Sequence, residues 1–357
     1  MAKTVAFIGP LPPPVGGVAL ANIRVQEIVQ KNGKNYNIIN LNTSKNLDNA
    51  DLYKRKGFKE FSHFIKNIFQ LIRFVFKNRV DVSNVFVVPN ISFLREMVFI
   101  FILKLTTKKL VIHLHAKTEG DYFLEGFKLK IFTKVLSLGD VIFVLSERFH
   151  KQFYAQYINP KKLIVLENFV DYRDFENQIE NKTNEFLYVG RLSEKKGFLT
   201  LIEAVSLIQK EASELRIHVL GEFENEDFKL KILNKLSEEN IENFIFHGAQ
   251  MGKKKFEFFK KCSVFIFPSY FENSPIVLKE AIAAKMGIIS SDIIENRNIL
   301  DPYENKLYFE AKNAKSLATQ LLTLHNDKEM VKRFNLNSET IKNFDRTYAA
   351  QIINEHI

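Results

Sequence analysis

Apolar residues in this chain fall into two patterns. Some form short unbroken runs, as a strand buried on both faces of a parallel sheet requires. Others recur every three to four residues, the stripe of an amphipathic helix. Runs of the first kind lie at Thr4 to Ile8, Tyr36 to Leu41, Val85 to Val88, Lys109 to Leu114, Val141 to Leu145 and Leu163 to Leu166. They resume at Phe186 to Val189, Arg216 to Leu220, Phe244 to Phe246, Val264 to Phe267 and Ile288 to Ser290. Helical spacing covers Val18 to Lys31, Lys59 to Lys77, Ser92 to Leu105, Phe198 to Lys210, Lys253 to Lys261 and residues 314–342, and an amphipathic segment, Phe344 to Ile357, closes the chain. Strand and helix thus alternate twice. This predicts an α/β chain of two Rossmann-like, doubly wound domains facing each other across a cleft. The polar, irregular residues 171–184 separate them. The expected domains are 1–172 and 173–343, with 344–357 as a final segment.

The stripe of Lys59 to Lys77 holds Phe61, Phe64, Ile65, Ile68, Phe69, Ile72 and Phe76, interleaved with Lys66, Arg73 and Lys77. It reads as a core face or as a membrane-surface face with basic flanks. Composition favours neither, but charge bears on it. The net charge is +10, and residues 1–110 hold 17 Lys and Arg against 6 Asp and Glu. The remainder is nearly balanced, so the basic excess belongs to the first part, where Lys54-Arg55-Lys56 also lies in a loop. Such a face suggests an anionic partner, or only solubility. A length of 357 residues suits two domains, and an apolar content of 46% with 34 Phe supports real cores. The single cysteine, Cys262, excludes an internal disulfide and suits a reducing compartment. Met1-Ala-Lys-Thr leads directly into a strand without a signal peptide, and the most apolar run, Met97 to Leu105, is too short to span a bilayer. The expected location is the cytoplasm, with peripheral attachment to the inner face of the plasma membrane as an extension.

Candidate chemistry gathers where strands end. Gly9-Pro-Leu-Pro-Pro-Pro-Val-Gly-Gly17 joins the first strand to the first helix. Its prolines stiffen the loop, while Gly16 and Gly17 serve a plain tight turn or let the backbone approach a ligand. The pattern is neither a dinucleotide fingerprint nor a Walker A loop. His115 falls just past Lys109 to Leu114, on the edge where open α/β sheets carry ligands, and reads as structural or as functional. His113 is expected on the other face, as packing. In the second half, Gly190-Arg191-Leu192-Ser193-Glu194-Lys195-Lys196-Gly197 follows a strand, so Arg191 and Lys196 can meet one diphosphate.

The stretch from Phe267 to Glu280 leads from a strand through a loop into a helix. Ser274 is expected as N-cap and Pro275 as the first helical residue, with the helix running to Lys285 and Gly287 as its stop. The first N–H groups of Ile276, Val277 and Leu278 then make an anion site. Glu272 in the loop and Glu280 in the second turn supply carboxylates that accept from hydroxyls. That combination suits a phosphorylated polyol.

Four pieces now stand together: Gly16-Gly17, Glu167-Asn168-Phe169-Val170-Asp171, Gly190-Arg191-Leu192 with Lys196-Gly197, and Glu272 with Glu280. In order and spacing they resemble the retaining glycosyltransferases of family 4, of GT-B fold and bacterial surface-polysaccharide type. The resemblance covers nearly the whole chain, and its second-half motifs are the specific ones. It implies that Arg191 and Lys196 neutralise a nucleotide diphosphate, that Glu280 accepts from the ribose hydroxyls, and that Glu272 holds donor-sugar hydroxyls near the reacting carbon. The helix start through Asn273, Ser274, Pro275, Ile276 and Val277 would cap the phosphate. Gly16, Gly17 and Asn168 would serve substrate from the first domain, and His115 would lie near the sugar on the acceptor side. The final segment would cross back onto the first domain. Two departures stand out. Asn273-Ser274-Pro275 replaces a glycine common after the first Glu, and the residues after Ser291-Asp292 read Ile293-Ile294-Glu295, a loop without the usual glycine pair.

The expected activity is metal-independent hexosyl transfer, with retention, from a UDP- or GDP-type sugar to a carbohydrate or lipid-linked acceptor. No resident cofactor is expected, since no Cys/His/Asp cluster with metal spacing occurs along the sequence and Arg191, Lys196 and a helix end stand in its place. Nucleic acid is not an expected partner, because no binding motif accompanies the basic half. A sugar-nucleotide epimerase, a phosphorylase or a non-catalytic binder of anionic polymers are the alternatives.

Overall fold

In the computed structural model, the described residues are 2–12, 16–31, 35–44, 58–89, 93–115, 125–175, 183–336 and 342–357. Lys54-Arg55-Lys56 and the prolines at 13 and 14 lie outside them, as do the side chains of Phe61 and Phe64. The chain divides into two compact units, one of residues 1–168 with 347–357 and the other of residues 169–346.

The first unit runs β1 (Lys3–Gly9), α1 (Gly17–Lys31), β2 (Tyr36–Asn42), α2 (Phe58–Asn78), β3 (Val82–Val87), α3 (Phe93–Thr106), β4 (Lys109–Leu114), α4 (Gly126–Leu136), β5 (Val141–Val144), α5 (Gln152–Tyr154) and β6 (Leu163–Val165). Its six strands form one parallel sheet in the order β2-β1-β3-β4-β5-β6. Strand β3 is buried at every position, and its apolar run from Val85 is preceded by the buried polar residues Ser83 and Asn84. Helices cover both faces, as parallel crossovers require. Ile8, Val85, Ile112 and Ile142 from the sheet meet Leu71, Phe99, Leu103 and Phe132 from the helices in one core.

The second unit runs β7 (Thr183–Val189), α6 (Phe198–Ile208), β8 (Ile217–Leu220), α7 (Glu226–Glu238), β9 (Phe244–Phe246), α8 (Gly252–Lys261), β10 (Cys262–Phe267), α9 (Ile276–Ala283), β11 (Gly287–Ser291), α10 (Ile294–Leu300), β12 (Lys306–Phe309), α11 (Ala314–Asn326) and α12 (Lys328–Leu336). Its parallel sheet has the order β12-β11-β10-β7-β8-β9. Chain progression therefore reverses between β7 and β10, which lie side by side. The last helix, α13 (Arg346–His356), belongs almost wholly to the first unit. There Lys3 Nζ donates to the Ile357 carbonyl at 3.1 Å, and the His356 ring meets Phe143 edge-on at 6.1 Å.

Several expectations need correction. The α2 stripe is not one core face: Leu71 and Val75 are buried and Ile68 packs on the core, but Phe69 and Phe76 are 68% and 73% exposed. The helix carries more apolar surface than the sheet can cover. Helix α9 starts one residue late, at Ile276, with Pro275 in the N-cap position and no side-chain cap bond, so Ser274 is not the cap. It ends at Ala283, and Lys285 supplies the left-handed turn (φ 54°), while Gly287 opens β11. The residues after Asp292 are helical from Ile294 rather than a loop. Strand β12 and helices α4 and α7 went unread.

Candidate active site

The crevice outside the carboxyl ends of strands, at the point where strand order reverses, is where open α/β sheets bind ligands. In the second unit that point lies between β7 and β10, and the loops leaving those strands carry Arg191 with Lys196, and Glu272. The two loops are tied together. Tyr270 N donates to the Lys195 carbonyl at 3.0 Å, and the hydroxyls of Thr200 and Tyr270 bond each other. Gly197 caps α6 at φ 68°, and a Cβ there would lie 1.9 Å from the Pro268 carbonyl oxygen. Only glycine permits that approach. Lys196 Nζ then reaches Glu272 Oε1 at 2.5 Å, with the lysine side chain 34% and the glutamate side chain 9% exposed.

Beneath them, the fully buried Tyr188 donates from its hydroxyl to the Arg191 carbonyl at 3.0 Å. Burial, and then the nearby Glu272 carboxylate, push its phenol well above the ordinary range. Arg191 itself is exposed. The β10–α9 loop is braced by the residues after β11. Ser291 Oγ donates to the Ser269 carbonyl at 2.5 Å, and the buried Asn296 donates to Ser290 Oγ and Ser291 Oγ, each at 3.0 Å. The segment read as a loop is therefore a strut for the loop beside it.

Asn273 and Ser274 are half-buried in the loop, Pro275 and Ile276 are buried, and Val277 is half-buried at the start of α9. The first N–H groups of any helix lack partners within it, so this end carries partial positive charge. Glu280 is buried, and Lys255 Nζ from α8 lies 2.5 Å from its Oε2. Sequence reading missed Lys255. Its signal was a lysine four residues before Phe259, on the buried face of α8, where a charge needs a partner.

In the first unit the strand order reverses between β1 and β3, and Gly16 and Gly17 follow β1. Both are exposed; neither takes a left-handed φ, and a Cβ at either would meet nothing within 4 Å. Packing therefore does not account for glycine there. His115 follows β4, is 9% exposed, and lies 5.8 Å from the Phe86 ring in a stacked arrangement. Burial, and then the charge of His150, lower its pKa to about 4, so it is neutral at pH 7. His113 stacks on the same Phe86 ring at 4.4 Å, and its Nε2 is 3.1 Å from Asn84 Oδ1. The expectation that the two histidines occupy opposite faces is wrong, because residues two apart on a strand share a face. Asn168 is half-buried at the end of this unit. Just beyond it, Val170 pairs with the chain at Asp345, donating to the Phe344 carbonyl at 2.9 Å and accepting from Arg346 N at 2.8 Å.

Comparisons with known proteins bear on this arrangement. Residues 171–340 match a family model described as glycosyl transferases group 1. The chain is 28% identical over 200 residues to the Campylobacter jejuni N-acetylgalactosamine-N,N'-diacetylbacillosaminyl-diphospho-undecaprenol 4-alpha-N-acetylgalactosaminyltransferase, covering 54% of this chain and 53% of that one. It is 21% identical over 236 residues to the capsular polysaccharide biosynthesis glycosyltransferase CapH of Staphylococcus aureus, covering 65% of each. The chain spans 53–66% of the length of the curated relatives it matches first. Among solved structures, Anabaena HepE in complex with UDP and glucose superposes with a TM-score of 0.72 at 14% identity, over 99% of both chains. The fold is that of the GT-B glycosyltransferases.

Proposed function

We propose that this protein is a family 4 glycosyltransferase that moves a hexose-type sugar from a nucleoside-diphosphate sugar to an acceptor hydroxyl, with retention and without a catalytic metal. The observation that carries this reading is the Lys196–Glu272 pair at the strand-order reversal, on the two loops that also carry Arg191 and lead into α9. The relatives' names add surface-polysaccharide synthesis, and the HepE complex adds a UDP-type donor.

The chemical problem is to break the bond from C1 to a dianionic leaving group. Arg191 and Lys196 offset the charge that develops on the diphosphate, and the amino end of α9 adds its fixed dipole. Lys196 turns from Glu272 to the phosphate when donor enters, which frees Glu272 to accept from the sugar hydroxyls. The acceptor oxygen bonds to C1 on the face that the leaving group departs, and its proton passes to the departing phosphate oxygen. Glu280 accepts from the ribose hydroxyls, with Lys255 as its compensating charge. On the first unit, His115, neutral at pH 7, serves the acceptor side as a hydrogen-bonding rather than a charged group, together with Gly16, Gly17 and Asn168.

The acceptor in this reading is a lipid-linked saccharide. No helix among the described residues is long and apolar enough to cross a membrane. Exposed Phe69 and Phe76 on α2, with exposed Lys66, Arg73 and Lys77 on the same helix, give the basic first unit an interfacial contact.

The test is transfer from radiolabelled nucleotide sugars to a lipid-diphosphate saccharide, with the product anomer read by proton NMR. Retention and loss of transfer in Arg191→Ala are expected. Inversion, or turnover that depends on added magnesium or manganese, contradicts the mechanism. Acceptor-free isomerisation of the donor replaces the transferase reading with an epimerase.

A further inference from the structure

Among the described residues, one cluster of metal-ligating side chains lies outside the proposed donor region. We infer that Glu185, His218 and Cys262 form a binding site for a zinc-class cation at the amino-terminal edge of the second sheet. Glu185 lies near the start of β7, His218 is the second residue of β8, and Cys262 opens β10. The donor loops leave the opposite ends of these strands, so the site is separate from the transfer chemistry.

One potential ligand atom from each residue lies within 4.8 Å of the others. His218 Nε2 is 3.3 Å from Glu185 Oε2. A tetrahedral ion with bonds of about 2.0–2.1 Å to nitrogen and oxygen sets its ligands roughly 3.3 Å apart, so this edge needs no adjustment. Cys262 is fully buried and His218 is 4% exposed. His218 Nε2 is buried and faces the cluster, with Glu185 Oε2 as its polar neighbour. Its other nitrogen, Nδ1, is 2.8 Å from His247 Nε2, and the two rings stack at 5.1 Å.

That second contact allows two tautomers. With the proton on Nε2, His218 donates to the Glu185 carboxylate; with it on Nδ1, His218 donates to His247 and the Nε2 lone pair faces Glu185, the form a cation selects. A ligating histidine fixed by a hydrogen bond from its other nitrogen is the usual outer arrangement of metal sites. Glu185 Oε2 also contacts Lys261 Nζ at 2.9 Å and Thr183 Oγ1 at 2.7 Å. Lys261 is the competing cation, and its side chain is 48% exposed, so it can yield to an ion and move to solvent. Thr183 then orients the carboxylate.

Thiolate, imidazole and carboxylate together select zinc over magnesium or calcium. Binding replaces the Cys262 thiol proton with the metal, releasing one proton, and leaves a fourth position for water. The ion clips β8, β7 and β10 together and so acts on stability rather than on transfer.

Metal-stripped full-length protein titrated with cobalt(II) is the test. One equivalent should bind with a thiolate-to-cobalt charge-transfer band, and zinc should displace it and raise Tm where magnesium does not. Cys262→Ser should lose the band and the zinc-induced Tm shift while keeping transfer activity. If that variant fails to fold, Glu185→Gln should weaken cobalt binding at least tenfold. Wild-type protein that binds neither ion, or a shift that persists unchanged in the folded variants, overturns the site.

Discussion

Lys196 and Glu272 stand 76 positions apart, and their ion pair is half-shielded from water. If each serves the donor as proposed, the two should fail differently. Lys196→Ala should lower kcat/KM by tenfold to a thousandfold, a loss of about 1.4–4 kcal/mol in transition-state stabilisation, mostly through kcat. Glu272→Gln keeps its shape but loses its charge and should cost at least tenfold, with a change in preference among donor sugars. Steady-state kinetics across a donor panel checks both. His115 makes a separate prediction. Its folded pKa of about 4 lies below the ordinary histidine value of 6.5, and burial is the main cause. Above pH 6.5 the residue is neutral in both states and its contribution is complete. As pH falls from 6.5 to 4 the unfolded chain takes the proton first, so stability drains by roughly 2–4 kcal/mol, then levels off. His113, also held neutral by burial, steepens the same window. Urea unfolding from pH 4 to 7 should show this slope, and His115→Gln should reduce it by one proton.

Among the elements, the loop between β7 and α6 depends on Gly197. Ala at that position combines a left-handed φ of 68° with a Cβ only 1.9 Å from the Pro268 oxygen. Gly197→Ala should destabilise by at least about 2 kcal/mol, seen as a lower urea midpoint with unchanged slope. It should also weaken donor binding, since the same loop carries Lys196. The apolar stretches of the fully buried strands β3 and β10 were legible from Val85 and Val264 onward, whereas their first residues were not, because Ser83, Asn84 and Ser263 are buried polar positions. Strand β12 was not, because Lys306–Phe309 is a half-buried edge of mixed polarity. The start of α9 shifted by a residue because Ser274 and Pro275 both satisfy helix-start preferences, and local chemistry alone cannot rank them. Helix α2 showed its amphipathic spacing but not which of its phenylalanines the sheet would cover.

For the molecule as a whole, the basic excess of the first 110 residues and the exposed Phe69 and Phe76 belong to one unit. Co-sedimentation with vesicles should rise with anionic lipid, fall with salt, and weaken in Phe69→Ser with Phe76→Ser. Indifference to lipid charge would remove the membrane contact. The motifs proposed for the donor were readable because each sits at a strand end, whereas the meeting of Lys196 with Glu272 was not: it comes from β7 and β10 becoming neighbours, which only topology decides. Glu185, His218 and Cys262 escaped for the same reason, since their spacing along the chain carries no signal. The central claim is that the second unit grips a nucleoside diphosphate through Arg191, Lys196 and the start of α9. Calorimetric titration of the intact protein with UDP and with GDP tests it most directly. One of the two should bind wild-type protein and bind Lys196→Ala at least tenfold more weakly, about 1.4 kcal/mol. A folded wild type that binds neither, or a variant that binds as tightly as wild type, would contradict it.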